Sequence, residues 1–572
     1  MASTPFLELA ETVQNMDDAP YRRDKILLCS AYLGSLQTDR DLELSAQFLT
    51  EGPFPASSGT RLSVGSRTYS TCAAAFCNID YEKVFKPCKK ALGDAVEAIE
   101  KLMANIEDAR RKRNPASLTL PEIQSRYEML YQQSSRRGKQ QILRESWASM
   151  TPLEIKYFIR IMQSHPLPIH FGSEDMTEAL ACAFDLPAGR VHYTRMITGS
   201  WGRTAILCKN GRIEEATFSP FTPLDLMFPS PFQAHSEFDS SNFVAEEKFN
   251  GLRTQVHIKS SQVRLYSPDH GDITQRFPDV VQFFVSLGLP GTVLDGELCS
   301  FRNNKLLPFS LIQKRLKSKG SNPDITEKYP VLFIAFDILF DHQKLTLNLP
   351  FSERRKLLER RAARYAFPIT NQFNIPSRHQ IKPLYDQALA RGNEGLILKR
   401  KDSSYKYGQR DASWLKMEKP PASLQAVIMY AHTDRRKRGR TYSAFTLGIR
   451  VDTDDRYEEE FIPIGKARGN LARKVRSRLN RKVKEYAVEK YGPTLGLLPK
   501  IVVELEYDDI QVNKRTKANY VLYKPRFSTI RWELAPSDTD SLERVEQLYL
   551  DNLEGHQLGQ HSTPSFVYQN SN

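Results

Sequence analysis

Residues 246–253 read Glu246-Glu247-Lys248-Phe249-Asn250-Gly251-Leu252-Arg253. A lysine leaves a predicted strand, enters an Asn-Gly turn and is followed by an arginine. Glycine there permits a tight turn and close approach of backbone to a ligand. A lysine is a nucleophile only when neutral, and burial or neighbouring cations bring it toward that state. Around this turn lie runs of strand length rich in β-branched and aromatic residues: FVAEEKF, TQVHIKS, QVRLYS, TVLDGELCSF and VLFIAFDILF. The helical pattern SERRKLLERRAARYA follows them. The middle of the chain is therefore expected to be mixed α/β or α+β.

Four more residues give the turn a chemical setting. Glu297 lies in VLDGELCSF, Glu394 in NEGLILKR with Lys399 beyond it, and Lys416 in SWLKMEK. Strand-borne carboxylates with interleaved lysines suit a metal-bound triphosphate. Mg²⁺ is a hard cation that prefers oxygen, and lysines neutralise phosphate oxygens.

At 572 residues the chain exceeds one core, and about two to four domains are expected. Residues 1–225 read mainly as helix, with apolar residues at three- and four-residue steps in PFLELAETVQNM, YRRDKILLCSAYLGSL and KKALGDAVEAIEKLMANI. The basic run DARRKR closes the last of these. FSPFTPLDLMFPSPF, residues 218–232, carries four prolines and reads as a linker. A second boundary falls near Lys419-Pro420-Pro421. Beyond it AVIMYAHT, SAFTLGIRV, EEEFIPIG and IVVELEYDDIQV predict a small β-domain. The helical insert GKARGNLARKVRSRLNRKVK has nine Lys or Arg between Lys466 and Lys484. The tail after Leu550 is polar and is expected to be disordered.

Lys and Arg number 81 against 67 Asp and Glu, a net +14 that favours a polyanionic partner through counterion release. No apolar run is long enough to span a bilayer, and no secretory signal is visible. Seven scattered cysteines indicate reduced thiols in an intracellular compartment, cytoplasm, nucleoid or nucleus, rather than a disulfide framework.

The collinear set of motifs resembles the ATP-dependent DNA ligases of the covalent nucleotidyltransferase superfamily. KFNGLR at 248–253 is similar to their nucleophile motif K-x-D-G-x-R. VLDGELCSF, FIAFDILFD at 333–341, NEGLILK, and RDASWLKMEK at 410–419 are similar to the motifs that follow. FIPIGKARG, VVELEYDDIQ and YKPRFSTIRWELAPSDTDSL resemble the family's OB domain. YRRDKILLCSAYL, HFGSEDMTEALACAF and SWGRTAILCKNGRIEEATFSPFTPLDLMF resemble its all-helical DNA-binding domain. The resemblance implies a helical DNA-binding domain over 1–225, an adenylation domain over 226–421, an OB-fold β-barrel over 422–550 and a tail over 551–572.

It also implies roles. Lys248 would take AMP from ATP, Glu246 would contact the adenine amino group and Phe336 would stack on the ring. Arg253 would face sugar or phosphates. Glu297 and Glu394 would hold Mg²⁺ or Mn²⁺, and Lys399 and Lys416 would sit on the α-phosphate. Arg410 matches a motif arginine, and Arg526 and Arg531 would orient the pyrophosphate. The implied substrate is nicked duplex DNA, the enzyme acts as a monomer and no membrane is involved. Asn250, Pro268 and Glu418 depart from the pattern, with Arg264 a candidate to replace the arginine missing at Pro268. Within the superfamily an RNA ligase or mRNA capping enzyme is the alternative. A non-catalytic nucleic-acid-binding module is the alternative from another class. The four-cysteine zinc element of NAD-dependent ligases is absent.

Overall fold

The computed structural model describes residues 3–55, 60, 62–163, 167–233, 238–302, 305–307, 309–317, 323–433, 442–452, 459–469, 471–492, 494–558 and 566–567. The first region is helical, with thirteen α-helices from Phe6–Asp18 to Trp201–Lys209 among those residues. Their apolar stripes meet in one core that includes Phe6, Phe48, Tyr127, Trp147 and Phe158. One predicted helix is broken at two places, the first where the local chemistry favours a cap. KKALGDAVEAIEKLMANI divides into Lys86–Leu92 and Ala95–Asn105, because Gly93 turns left-handed (φ 76°) and Asp94 accepts from the N–H groups of Val96 and Glu97. The basic run belongs to a separate short helix, Glu107–Arg111, after a break at Ile106.

The proline-rich segment is not a loose linker. Leu224, Leu226 and Met227 are at most 2% exposed, and Phe228–Pro231 pairs in parallel with the strand Arg410–Glu418. Gln255 exchanges hydrogen bonds with both the N–H and C=O of Leu224, and His257 Nδ1 accepts from Phe221 N–H. Prolines remove donors but leave carbonyls, and here neighbouring side chains satisfy what remains. Asp225 joins the two regions. It lies 3.2 Å from His192, on the helix Ala188–Thr198, and 3.3 Å from His270, in the turn after the strand Gln262–Tyr266.

The middle region has two sheets. One runs in the order Phe228–Pro231, Arg410–Glu418, Gly395–Arg400, Phe243–Lys248, Gln372–Asn374. The other is built on Ile369–Thr370, Val331–Asp341, Thr292–Arg302, Leu252–Lys259 and Gln262–Tyr266. The chain passes from the first sheet to the second through Phe249–Gly251, so the quoted turn sits where the sheets diverge. A Cβ on Gly251 would lie 2.4 Å from Leu298 O, so only glycine allows that passage. All five predicted strand runs are strands.

The C-terminal region is β-rich. Tyr442–Arg450, Phe461–Arg468, Arg526–Ile530, Val502–Tyr507 and Ala422–Thr433 pair in succession, and the last pairs back to the first, closing a ring. The ring encloses Ile428, Leu447, Ile464 and Val503. IVVELEYDDIQV is two strands, Val502–Tyr507 and Asp509–Val512, which belong to different sheets. The basic insert forms the helix Arg473–Glu485, burying only Leu479 and Val483. At the other end, the helix Leu542–Leu558 continues past Leu550, which corrects the expected start of disorder, and Phe566–Val567 pairs with Ile369–Thr370. The rest of the tail lies outside the described residues. Among the described residues no helix is long and apolar enough to cross a membrane.

Candidate active site

Lys248 ends the strand Phe243–Lys248 and pairs in register with Gly395, itself opposite Glu418. Its Nζ forms an ion pair with Glu394 and lies 3.3 Å from Glu418 Oε1. Glu418 also binds Lys416. Gly395 adopts φ 139°, and a Cβ there would lie 2.0 Å from Met417 O, so glycine is what lets Glu394 turn toward Lys248.

The expectation that neighbouring cations neutralise Lys248 is corrected. Burial alone would lower its pKa, but Glu394, then Glu418 and Glu297, outweigh burial and hold the ammonium above the usual lysine value. In the free protein Lys248 is a protonated amine among carboxylates. Glu418, which stands where the family pattern has lysine, adds to that anionic surround.

Glu297 faces the same cluster from the strand Thr292–Arg302. Burial pushes its carboxyl up to about 8, with Lys248 pulling down and Glu394 pushing further up. The fold thus favours the neutral carboxyl. That stabilisation is complete below roughly 4.3, the ordinary glutamate value, and is lost as pH rises through about 8. Melting temperatures of ligand-free protein from about pH 5 to 8 should therefore fall for wild type relative to Glu297→Gln. Parallel curves would remove burial of Glu297 as the cause.

Among the described residues no group of three or more His, Cys, Asp or Glu is arranged to hold a metal. Glu297 and Glu394 still fit one. Mg²⁺ commonly takes one or two protein carboxylates and fills its remaining positions with water and substrate phosphate oxygens. Both are hard oxygen donors that face the same lysine.

A second group of predicted residues gathers two residues along the same strand. Glu246 is 2% exposed and lies 2.8 Å from Lys399 Nζ and 3.5 Å from Arg355, and it accepts from Gln372 at 2.9 Å. Lys399 also donates to Phe336 O at 3.0 Å and stands 4.5 to 4.8 Å from the rings of Trp414, Phe336 and Phe351. Burial lowers its pKa, against Glu246 and Asp337. Lys399 is opposite Val244 while Lys248 is opposite Gly395. That register separates the two lysines by roughly 13 Å along the strands. In the free protein Lys399 therefore lies on the aromatic side of the pocket, with its ammonium on Glu246.

Arg253 is also turned inward. It donates to Asp295 at 3.1 and 2.8 Å and to Met227 O at 2.8 Å. Its guanidinium lies 5.5 Å from both Phe228 and Phe336. Asp295 is fully buried and accepts from Tyr405 as well. A buried carboxylate needs such a counter-charge, and in the free protein Arg253 supplies it beside the aromatic wall. In the free protein the Arg264 guanidinium lies 4.7 Å over the Phe221 ring. Arg410 is exposed and donates to Pro229 O. Arg526 pairs with Asp508, and Arg531 with Glu504 and Glu533, all within the C-terminal region.

Tyr405, Trp414, Gln372 and Arg355 were not singled out from sequence. Trp414 stood inside a quoted motif. The others come from a helix (Arg355), a short strand (Gln372) and a loop (Tyr405) whose placement against Phe243–Lys248 only tertiary packing decides.

A family model described as ATP dependent DNA ligase domain matches residues 227–418, the region that carries both clusters. A second, described as DNA ligase N terminus, matches residues 5–181. The chain belongs to the ATP-dependent DNA ligases. The ligase is 26% identical over 571 residues to a probable DNA ligase of Koribacter versatilis, covering 95% of this chain and 96% of that one. It is 27% identical over 553 residues to a DNA ligase of Methanospirillum hungatei, covering 95% and 98%. A DNA ligase of Archaeoglobus fulgidus is 26% identical over 554 residues, covering 95% and 98%. Among solved structures, Pmar-Lig_Pre superposes with TM-score 0.54 at 15% identity, covering 91% of the ligase and 99% of that chain. That likeness concerns the fold.

Proposed function

We propose that this DNA ligase seals nicks in duplex DNA through an adenylyl group carried on Lys248. The observation that carries this reading is the convergence of Glu394, Glu418 and Glu297 on Lys248, with Lys416 bound to Glu418. In the first step Lys248 Nζ loses a proton and attacks the α-phosphorus of ATP. A P–N bond forms, the α–β anhydride breaks and pyrophosphate leaves. In the second, an oxygen of the nick's 5′-phosphate attacks that phosphorus, and the lysine leaves and regains a proton. In the third, the 3′-hydroxyl attacks the activated 5′-phosphate and AMP leaves. A covalent intermediate lets one site serve two substrates in turn.

Mg²⁺ or Mn²⁺ on Glu297 and Glu394 would offset the carboxylate charge that keeps Lys248 protonated and would neutralise phosphate oxygens. Adenine stacks on Phe336, and its amino group takes over Glu246. That exchange frees Lys399 to join Lys416 at the α-phosphate. Positioning and charge neutralisation dominate such phosphoryl chemistry. The closed C-terminal ring is read as an OB-fold that brings Arg526 and Arg531 to the pyrophosphate. The helical region and the basic helix Arg473–Glu485 supply phosphate contacts for a duplex enclosed by a monomer.

Incubation with α-labelled ATP and Mg²⁺, then with nicked DNA, tests the reading. Label should appear at Lys248 and leave as strands join. Labelling from GTP instead, or no joining after labelling, would overturn it in favour of capping or RNA chemistry.

A further inference from the structure

Glu247 immediately precedes the nucleophile. Alternation along a strand sends its carboxylate to the opposite face from Lys248. That face is interior, and Glu247 is 4% exposed. A buried carboxylate is unfavourable unless its oxygens are satisfied, and here both are engaged. Arg391 forms an ion pair with Oε1, and Asn393 Nδ2 donates to Oε2 at 2.6 Å. Both partners lie in the turn between the helix Ile381–Ala390 and the strand Gly395–Arg400. The next residue of that turn is Glu394, whose N–H donates to Lys248 O at 2.8 Å and whose carboxylate holds Lys248 Nζ.

Residues 247 and 248 therefore grip one turn from two faces. The Glu247 carboxylate is the shared partner of Arg391 and Asn393, so an apolar side chain there would leave both groups of the turn unheld. We propose that Glu247 is a positioning residue for adenylyl transfer. Through Arg391 and Asn393 it fixes the turn that aims Glu394 at the nucleophile. This rests on the reading of Lys248 as the adenylylated residue.

The test is single-turnover adenylylation of the full-length protein with α-labelled ATP and Mg²⁺, followed against ATP concentration. Glu247→Leu and Glu247→Gln should lower the plateau rate by about ten- to a hundredfold. The ATP concentration at half-maximal rate should move less than about threefold, because the base pocket is untouched. Glu247→Leu leaves Arg391 and Asn393 without their partner and should also melt lower than wild type, so the split between plateau rate and half-saturation, which a merely structural role would not move, is read on folded protein. Arg391→Lys should retain more of the rate than Arg391→Ala. A folded Glu247→Leu with an unchanged plateau would overturn the proposal. If that variant fails to fold, the isosteric Glu247→Gln decides in the same way. Absence of label on wild type would instead take down the reading of Lys248, and this inference with it.

Discussion

Lys248→Ala should carry no label above background after incubation with α-labelled ATP and Mg²⁺, whatever the incubation time. The side chain removed carries the nitrogen that forms the phosphoramidate bond, and in the free protein the other lysines of the pocket are engaged by other partners. Lys416 is held by Glu418, and Lys399 is buried against Glu246 and three aromatic rings. Alanine also leaves Glu394 and Glu418 without their shared cation, so a control for folding is needed. Lys248→Arg provides it. Guanidinium keeps the positive charge but does not give up a proton in a protein, so it should preserve the pair with Glu394 yet accept no AMP. Both variants should still seal DNA that has been adenylylated beforehand better than they seal an ordinary nick. Label on Lys248→Ala at the wild-type level would end the assignment of the nucleophile.

The second large effect concerns stability. Asp337 and Arg354 form an ion pair in which both side chains are fully buried, with contacts of 2.8 and 2.9 Å. Arg354 further donates to the carbonyls of Leu349 and Ser403. Removing one partner of such a pair leaves a desolvated charge with no counter-charge. Asp337→Ala should therefore cost about 3–5 kcal/mol. Denaturant unfolding read from the middle region would measure it. Arg354 joins the helix Phe351–Tyr365 to the strand Val331–Asp341, which carries Phe336. Loss of stability should thus be accompanied by weaker ATP saturation. A change below about 1 kcal/mol would mean that water reaches the pair and screens it.

Much of the fold was legible because its signals are local. Three- and four-residue spacing of apolar residues produced the helices of the first region, and short β-branched runs produced the strands around Lys248. The misreadings have local causes too. Gly93 and Asp94 split a helix through a left-handed turn and a cap, and the prolines at 218–232 suggested a loose linker. Proline content reports missing donors. It does not report that Gln255 and His257 arrive from another strand to satisfy the rest.

Residue types and their order along the chain were enough to single out Lys248, Glu297 and Glu394 and to place the first two on strands, with Glu394 ending the turn before Gly395–Arg400, because strand length, turn glycine and carboxylate chemistry are properties of short segments. The charge felt by Lys248, the inward turn of Arg253, the capture of Lys399 by Glu246 and the grip of Glu247 on the 391–394 turn were decided only when the strands came into register. Electrostatic energies depend on distances through space, and residues separated by some 150 positions acquire those distances only in the folded chain.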